Sequence, residues 1–151
     1  MIKRLNNNNL EVAGLIQKIF HQSYAVEAQL LKVDDFPPLK RTLDSYQNSE
    51  NIFFGYFENE TLVGVIECEI LDNFIDINSL VVHPNFFRNG IAGGLLNFVL
   101  AKFECYSLKV ETATNNTPAV DLYIKFGFEP VAYFASDSGI NKVAFERISI
   151  N

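Results

Sequence analysis

Apolar residues recur along this chain with two different periods, and the change from one to the other divides it. Near the start, Leu10, Ala13, Ile16, Phe20 and Tyr24 follow one another at roughly helical spacing, behind asparagines at 6–9 that offer N-cap side chains. This predicts a helix over 10–24. Residues 25–36 carry mixed signals and close on Pro37-Pro38, and a second short helix is predicted over 39–47. From residue 52 onward β-branched and aromatic residues take over. Strands are predicted over 52–57, 61–71 and 74–82, separated by the short polar turns Glu58-Asn59-Glu60 and Asp72-Asn73. Three antiparallel strands in a row follow. His83-Pro84 stops the third, and a loop leads to a helix over 91–103. A strand over 107–112 and a helix over 118–126, with Pro118 in its first turn, come next. Strands over 128–135 and 142–148 flank a turn that holds Gly139. The order αα, βββ, αβ, αββ predicts an α/β (α+β) fold, a mixed and partly antiparallel central sheet of six to seven strands flanked by helices. No repeat of about 20–50 residues and no linker rich in Gly, Ser and Pro interrupts it, so the 151 residues read as one domain.

Composition narrows the classes. Hydrophobic residues at 48% and charged residues at 20% exclude a disordered chain, and 14 Phe and 6 Tyr without Trp predict an aromatic core. A net charge of −6 argues against a nucleic-acid binder, which usually carries the opposite balance. The polar first residues lack the apolar stretch of a signal peptide, and no window reaches the roughly 20 apolar residues of a membrane span. Cys68 and Cys105 are too few for a disulfide framework and have no ligand-like neighbours. Both read as plain buried thiols, no metal is expected, and the expected compartment is the cytoplasm.

The most informative segment runs from Leu80 to Leu96. A strand ends, a loop turns, and a helix begins among small residues: Gly90, Ala92, Gly93 and Gly94. The first four N–H groups of a helix lack internal partners, and the helix dipole adds about half a positive charge there. With side chains cleared away, a phosphate oxygen can touch that backbone, and Arg88 supplies a full charge and a donor fork. At a Debye length of about 8 Å the distant carboxylates are largely screened, so an acidic protein can still hold a polyanion locally. The competing explanation is that the small residues only let the helix pack closely on the sheet. A dinucleotide fingerprint is missing here, because the G-x-G-x-x-G spacing is absent and no βαβ unit opens the chain. The Gly-Lys-Ser/Thr of a P-loop is absent too.

Here the sequence resembles the GCN5-related N-acetyltransferase (GNAT) superfamily. The family's phosphate signature, Gln/Arg-x-x-Gly-x-Gly/Ala after a strand that often ends Leu-x-Val-x-Pro, is matched by Leu80-Val81-Val82-His83-Pro84 and Phe87-Arg88-Asn89-Gly90-Ile91-Ala92. Phe87 departs from it by standing at the Gln/Arg position. About 25 residues later, Asn116-Thr117-Pro118-Ala119-Val120-Asp121-Leu122-Tyr123-Ile124-Lys125-Phe126-Gly127-Phe128 is similar to the family's Asn-x-x-Ala-x-x-Leu-Tyr-x-x-x-Gly-Phe segment. The resemblance covers most of the chain from residue 52 on and implies a GNAT-like acyl-CoA N-acyltransferase fold.

What the resemblance implies can be stated residue by residue. The cosubstrate is acetyl-CoA or another acyl-CoA, its pantetheine arm lying between the strands over 74–82 and 107–112 against the backbone near Leu80 and Val82. The N–H groups of Arg88, Asn89, Gly90, Ile91, Ala92 and Gly93 hold the pyrophosphate, and Asn116 contacts the cofactor from the other side. The acceptor is an amine-bearing small molecule attacked directly; a protein or peptide amine, or a CoA-binding regulatory domain without turnover, are the alternatives. A lysine-like amine, with a pKa of about 10.4, costs about 4.6 kcal/mol to deprotonate at pH 7. Asp76 is the expected base, sharing the parity of Leu80 and Val82 if the pleat is regular, with Glu67 and Glu69 as alternatives. A backbone N–H near Leu80 or Val82 faces the oxyanion. Tyr123 matches the tyrosine that returns a proton to the leaving thiolate, and His83 reads as a loop residue. Acceptor-site candidates are Tyr24, Glu27, Asp34, Asp35 and Phe36. Homodimers are frequent in the family, and the Phe-rich C-terminal strands suit one.

Overall fold

The computed structural model describes residues 1–149. In chain order it contains β1 (Ile2–Leu5), α1 (Leu10–Leu31), α2 (Leu43–Gln47), β2 (Ile52–Glu58), β3 (Thr61–Ile70), β4 (Phe74–Val82), α3 (Ile91–Lys102), β5 (Ser107–Ala113), α4 (Thr117–Lys125), β6 (Glu129–Ala135) and β7 (Asn141–Arg147). The strands form one seven-stranded sheet in the order β1-β2-β3-β4-β5-β7-β6. Strands β1 to β4 pair antiparallel, β4 and β5 pair parallel, and β5, β7 and β6 pair antiparallel again. The parallel pair needs a crossover longer than a hairpin, and α3 supplies it.

Two cores lie on opposite faces of this sheet. One gathers Phe54, Ile66, Ile75 and Phe145 under Leu95 and Leu96 of α3 and Tyr123 of α4. The other gathers Phe53 and Val65 under Ile16 and Phe20 of α1 and Tyr46 of α2. Adjacent Phe53 and Phe54 serve opposite cores because successive side chains of a strand alternate. Each such buried side chain contributes about 1.5–3 kcal/mol relative to exposure.

Several sequence expectations need correction. Strand β1 was not foreseen; it has only four residues, too few to show a period, and it forms by pairing with β2. Asn9 caps α1, its side chain accepting from the Val12 N–H at 3.1 Å, but the helix runs on to Leu31, beyond the predicted end at 24. Leu10 is exposed, and the buried face is Ala13, Ile16, Ile19, Phe20 and Ala28. The helix predicted over 39–47 is two pieces: a 3-10 turn over Pro37–Lys40, then α2, capped by Thr42. Cys68 is buried, its thiol pushed up to about 12 mainly by burial, whereas Cys105 is exposed in the turn after α3. Strand β6 is exposed along its whole length. Among the described residues no helix is long and apolar enough to cross a membrane.

Candidate active site

Strands β4 and β5 pair only from Phe74↔Ser107 to Ile77↔Val110. Beyond that point β4 continues to Val82 along β3, and β5 continues to Ala113 along β7, so the two diverge. The cause is local. Glu67 faces Ser79 while the next residue, Cys68, faces Ile77, so Asn78 is an extra residue that bulges β4. A bulge bends its strand and strengthens the twist, which carries β4 away from its parallel neighbour. The β5-facing backbone groups of residues 78–82 are left without a strand partner, and buried or half-buried groups of that kind call for a ligand or water.

The opening is a cleft of about 800 Å³. Ile77, Asn78, Ser79 and Leu80 of β4 and Val110, Glu111, Thr112 and Ala113 of β5 form its floor. One wall is the end of α1, with Tyr24 and Glu27, and the 36–41 segment. The other is α4, with Asn116 and Tyr123, together with the β6–β7 turn and Lys142. The cleft falls within the size range of small-molecule sites.

The start of α3 is open. Gly90 is its N-cap at φ +78°, with no capping side chain, and a Cβ at Gly90 would meet nothing within 4 Å. The Gly94 N–H bonds back to the Gly90 carbonyl at 2.9 Å, whereas the N–H groups of Ile91, Ala92 and Gly93 have no backbone acceptor among the described residues. Arg88 and Asn89 are exposed, and Arg88, at φ +68°, holds a left-handed conformation that costs a non-glycine residue energy. The small residues divide between two structural settings. Gly90 serves the open turn, while a Cβ at Gly94 would stand 3.2 Å from the Tyr56 ring, so Gly94 serves close packing. Phe87, at the position of the missing signature side chain, is exposed.

Tyr123 is only 5% exposed and packs edge-on against Phe128 at 5.6 Å. Its hydroxyl makes no hydrogen bond to the protein among the described residues, and burial, then Tyr24 and Glu27, push its phenol up. Asn116 is doubly engaged. Its Oδ1 accepts from the Ala119 N–H at 3.3 Å to cap α4, and its Nδ2 donates to Glu27 Oε1 at 3.1 Å across the cleft. Burial raises the Glu27 carboxyl, against the lowering effects of Lys142 and Asn116. Tyr24 donates to Ser79 Oγ at 3.2 Å. Leu80 lines the cleft; Val82 is buried under α3. Asp34 and Asp35 lie outside the lining, whereas Phe36 is part of it.

The bulge at Asn78 also corrects the parity argument for Asp76. The pleat is not regular, so Asp76 shares its face with Ser79 and Val81 and not with Leu80 and Val82. Asp76 pairs with Glu69 and Lys109 below the point of divergence and is absent from the cleft lining. Glu67 is 1% exposed and held by both Arg41 Nη atoms at 2.8 and 3.0 Å and by Asn51 at 2.9 Å. Glu69 likewise lines no part of the cleft. His83 Nδ1 accepts from the Asn85 N–H at 3.1 Å and caps the 3-10 turn that follows β4.

Asp76 carries a stability prediction. Its carboxyl is raised from 3.8 by burial, then by Glu111 and Glu69, against Lys109. A carboxyl raised on folding binds protons more tightly in the folded state, so it destabilises the protein as pH rises from the unfolded pKa through the folded one. Asp76→Asn is therefore expected to raise the unfolding midpoint at about pH 7 and to lose that advantage at about pH 3, below both pKa values. Denaturant titrations at the two pH values check this; an equal effect at both would mean that the charge is not what matters.

The sequence reading did not single out Arg41 or Lys142 in the cleft. Glu27 did leave a signal. It sits three residues after Tyr24 and seven after Phe20, a carboxylate at an inward-facing helical position.

An antiparallel half-sheet joined to a β4–α3–β5 crossover, with the parallel pair splayed in front of an open helix N-terminus, is the architecture expected from the motifs. Residues 16–128 match the sequence model of the Acetyltransferase (GNAT) family, and the chain belongs to that family. It is 36% identical over 141 residues to the UPF0157 protein YqkA of Bacillus subtilis (strain 168), covering 93% of this chain and 41% of that protein. It is 32% identical over 89 residues to the streptothricin acetyltransferase of Escherichia coli, covering 56% of this chain and 51% of that protein. The chain thus spans about half or less of the length of these two relatives. Among solved structures, the ribosomal-protein-S18-alanine N-acetyltransferase of Escherichia coli superposes with a TM-score of 0.78 at 16% identity, over 99% of this chain and 93% of that one. The PaiA N-acetyltransferase of Thermoplasma acidophilum, in complex with coenzyme A, gives 0.73 at 18% identity, over 98% of each chain. These two likenesses speak for the fold.

Proposed function

We propose that this protein is an N-acetyltransferase that moves an acetyl group from acetyl-CoA to a primary amine of a small molecule by direct attack. The observation that carries the reading is the divergence of β4 and β5 after Ile77 and Val110, beside a helix whose first N–H groups are unclaimed. The residues present fit the cosubstrate. Backbone near Leu80 would take the pantetheine amides, and the N–H groups of Ile91, Ala92 and Gly93, with Arg88 and Asn89 beside them, would take the pyrophosphate. Asn116 is committed to its cap and to Glu27, so it shapes the cleft wall. Acetyl-CoA, when bound, supplies a thioester carbonyl open to attack by an amine. Tyr123 presents a protonated hydroxyl inside the cleft, and the Phe36, Pro37 and Pro38 side chains exclude water from one side. Two unpaired cysteines suit a reducing compartment, and the cytoplasm belongs to this reading. So does a homodimer through β6, where Val131 and Tyr133 are exposed.

Calorimetric titration with acetyl-CoA, with ATP and NAD as controls, tests it. Selective binding of acetyl-CoA is expected, followed by thiol release when primary amines are added. Folded protein, shown to carry no co-purified CoA, that ignores acetyl-CoA would reduce the family membership to a shared fold.

A further inference from the structure

The cleft holds more negative charge than the acyl-transfer chemistry by itself requires. Its lining includes the acidic residues Glu27, Glu111 and Asp137, none of which lies within ion-pair distance of a cation among the described residues. Arg41 is already neutralised by Glu67, which leaves Lys142 as the unpaired cation of the lining. The lining thus carries three acidic residues and one unpaired lysine.

Glu27 differs from the other two. It is partly buried, it lies on α1 one turn after Tyr24, and its side chain is gripped from the opposite wall. The grip has a fixed direction. Asn116 must aim its Oδ1 at the Ala119 N–H to cap α4, so its Nδ2 is the atom left to face Glu27. Glu27 Oε1 is occupied by that bond, while Oε2 has no hydrogen-bond partner among the described residues. The unengaged hydroxyl of Tyr123, a residue 95% removed from solvent, opens onto the same space. Tyr24 and Phe36, with ring centroids 5.8 Å apart, add aromatic surface of the kind that accepts an ammonium group.

We propose that Glu27 is the acceptor-anchoring carboxylate of this cleft, taking the primary ammonium of an amine that carries a second positive charge, with Asn116 as its positioning residue. The proposal rests on the acetyltransferase reading for what happens to the amine afterwards, but not for its binding. Glu111 and Asp137, in the same lining, add the negative potential that favours the second charge. In the anchored state the proton stays on the ammonium nitrogen, which donates to the free Oε2 of Glu27, so the pair is a charge-assisted hydrogen bond. The groups around the carboxylate are Tyr24 on its own helix, Asn116 and Tyr123 on the α4 side, and Lys142 on β7.

The test uses the full chain and two amine probes, 1,4-diaminobutane and butylamine, with acetyl-CoA titrated separately. Diaminobutane is expected to bind the free protein more tightly than butylamine. Glu27→Gln is expected to weaken diaminobutane binding about tenfold or more, the worth of one charge-assisted hydrogen bond, while acetyl-CoA binds as before. With acetyl-CoA present, kcat/KM for diaminobutane should fall by at least the same factor of about ten. Glu27→Asp, which keeps the charge on a shorter arm, should lie between the two and guards against a folding artefact in the first variant. Equal diaminobutane binding by the parent and Glu27→Gln, or no binding by either, overturns the proposal. Acetyl-CoA binding without Glu27-dependent amine binding sinks this inference alone. Glu27-dependent amine binding without acetyl-CoA binding sinks the acetyltransferase reading and leaves the anchor standing.

Discussion

Tyr123→Phe is expected to lower kcat about 100- to 1,000-fold, with little change in acetyl-CoA affinity or in stability. The ring is held by packing against Phe128 and Phe145, with centroids 5.6 and 5.8 Å away, and phenylalanine reproduces those contacts. Only the hydroxyl is lost, and that hydroxyl has no hydrogen-bond partner among the described residues. Burial pushes the phenol up first, with Tyr24 and Glu27 adding to it, so the group remains protonated across the neutral range. Its elevated pKa also defines what it can give. A thiol ionises near 8.5, so a thiolate is too weak a base to strip a proton from such a phenol, and on the proposed acetyltransferase reading Tyr123 would contribute a hydrogen bond to sulfur as charge develops there. A donor that meets charge developing in the transition state is worth more than one that meets it already in the ground state. Steady-state kinetics that separate kcat from KM, alongside acetyl-CoA titration, check it. Unchanged kcat would leave Tyr123 as a packing residue.

Arg41→Ala is expected to destabilise the protein by about 3–5 kcal/mol, the cost of leaving a buried charge uncompensated. The argument turns on an asymmetry. The Glu67 side chain is 1% exposed and the Arg41 side chain 24%. Arg41 forks onto Glu67 with both Nη atoms, stacks over the Tyr46 ring at 4.1 Å and donates from Nε to Ser45 Oγ at 2.9 Å. Without it, Glu67 keeps only the Asn51 amide at 2.9 Å. The reverse change, Glu67→Gln, is expected to cost less, because Arg41 already reaches solvent and an amide can keep part of the Asn51 bond. Replacing both, as Arg41→Met with Glu67→Leu, should recover most of the loss, since two desolvation penalties disappear together. Urea denaturation midpoints of the three variants decide it. A loss below about 1 kcal/mol for Arg41→Ala would place this pair with ordinary surface ion pairs.

The antiparallel half of the sheet, the β4–α3–β5 crossover and both motif-bearing helix starts were legible in the sequence, because each rests on local chemistry. Hairpin turns, β-branched runs and Pro118 act over a few residues, and the open start of α3 follows from Gly90 and its neighbours. Where local signals were interrupted for the sake of the site, the reading failed. The helical period of α1 fades after Tyr24 because its inward positions line a cleft there, with Glu27 where an apolar residue would continue the pattern. The parity of Asp76 failed for a similar reason: nothing between residues 74 and 82 announces that Asn78 is the extra residue of a bulge.

The sequence by itself determined the family, most of the strand and helix order and the open turn before α3, since all of these depend on neighbours along the chain. The tertiary structure alone decided which carboxylates meet the cleft. It buried Glu67 under Arg41, left Asp76 below the divergence of β4 and β5, and brought Glu27 to Asn116 across 89 positions of sequence. Whether a carboxylate faces a ligand, a guanidinium or water is set by contacts between elements, and such contacts leave no periodic trace in the order of the residues.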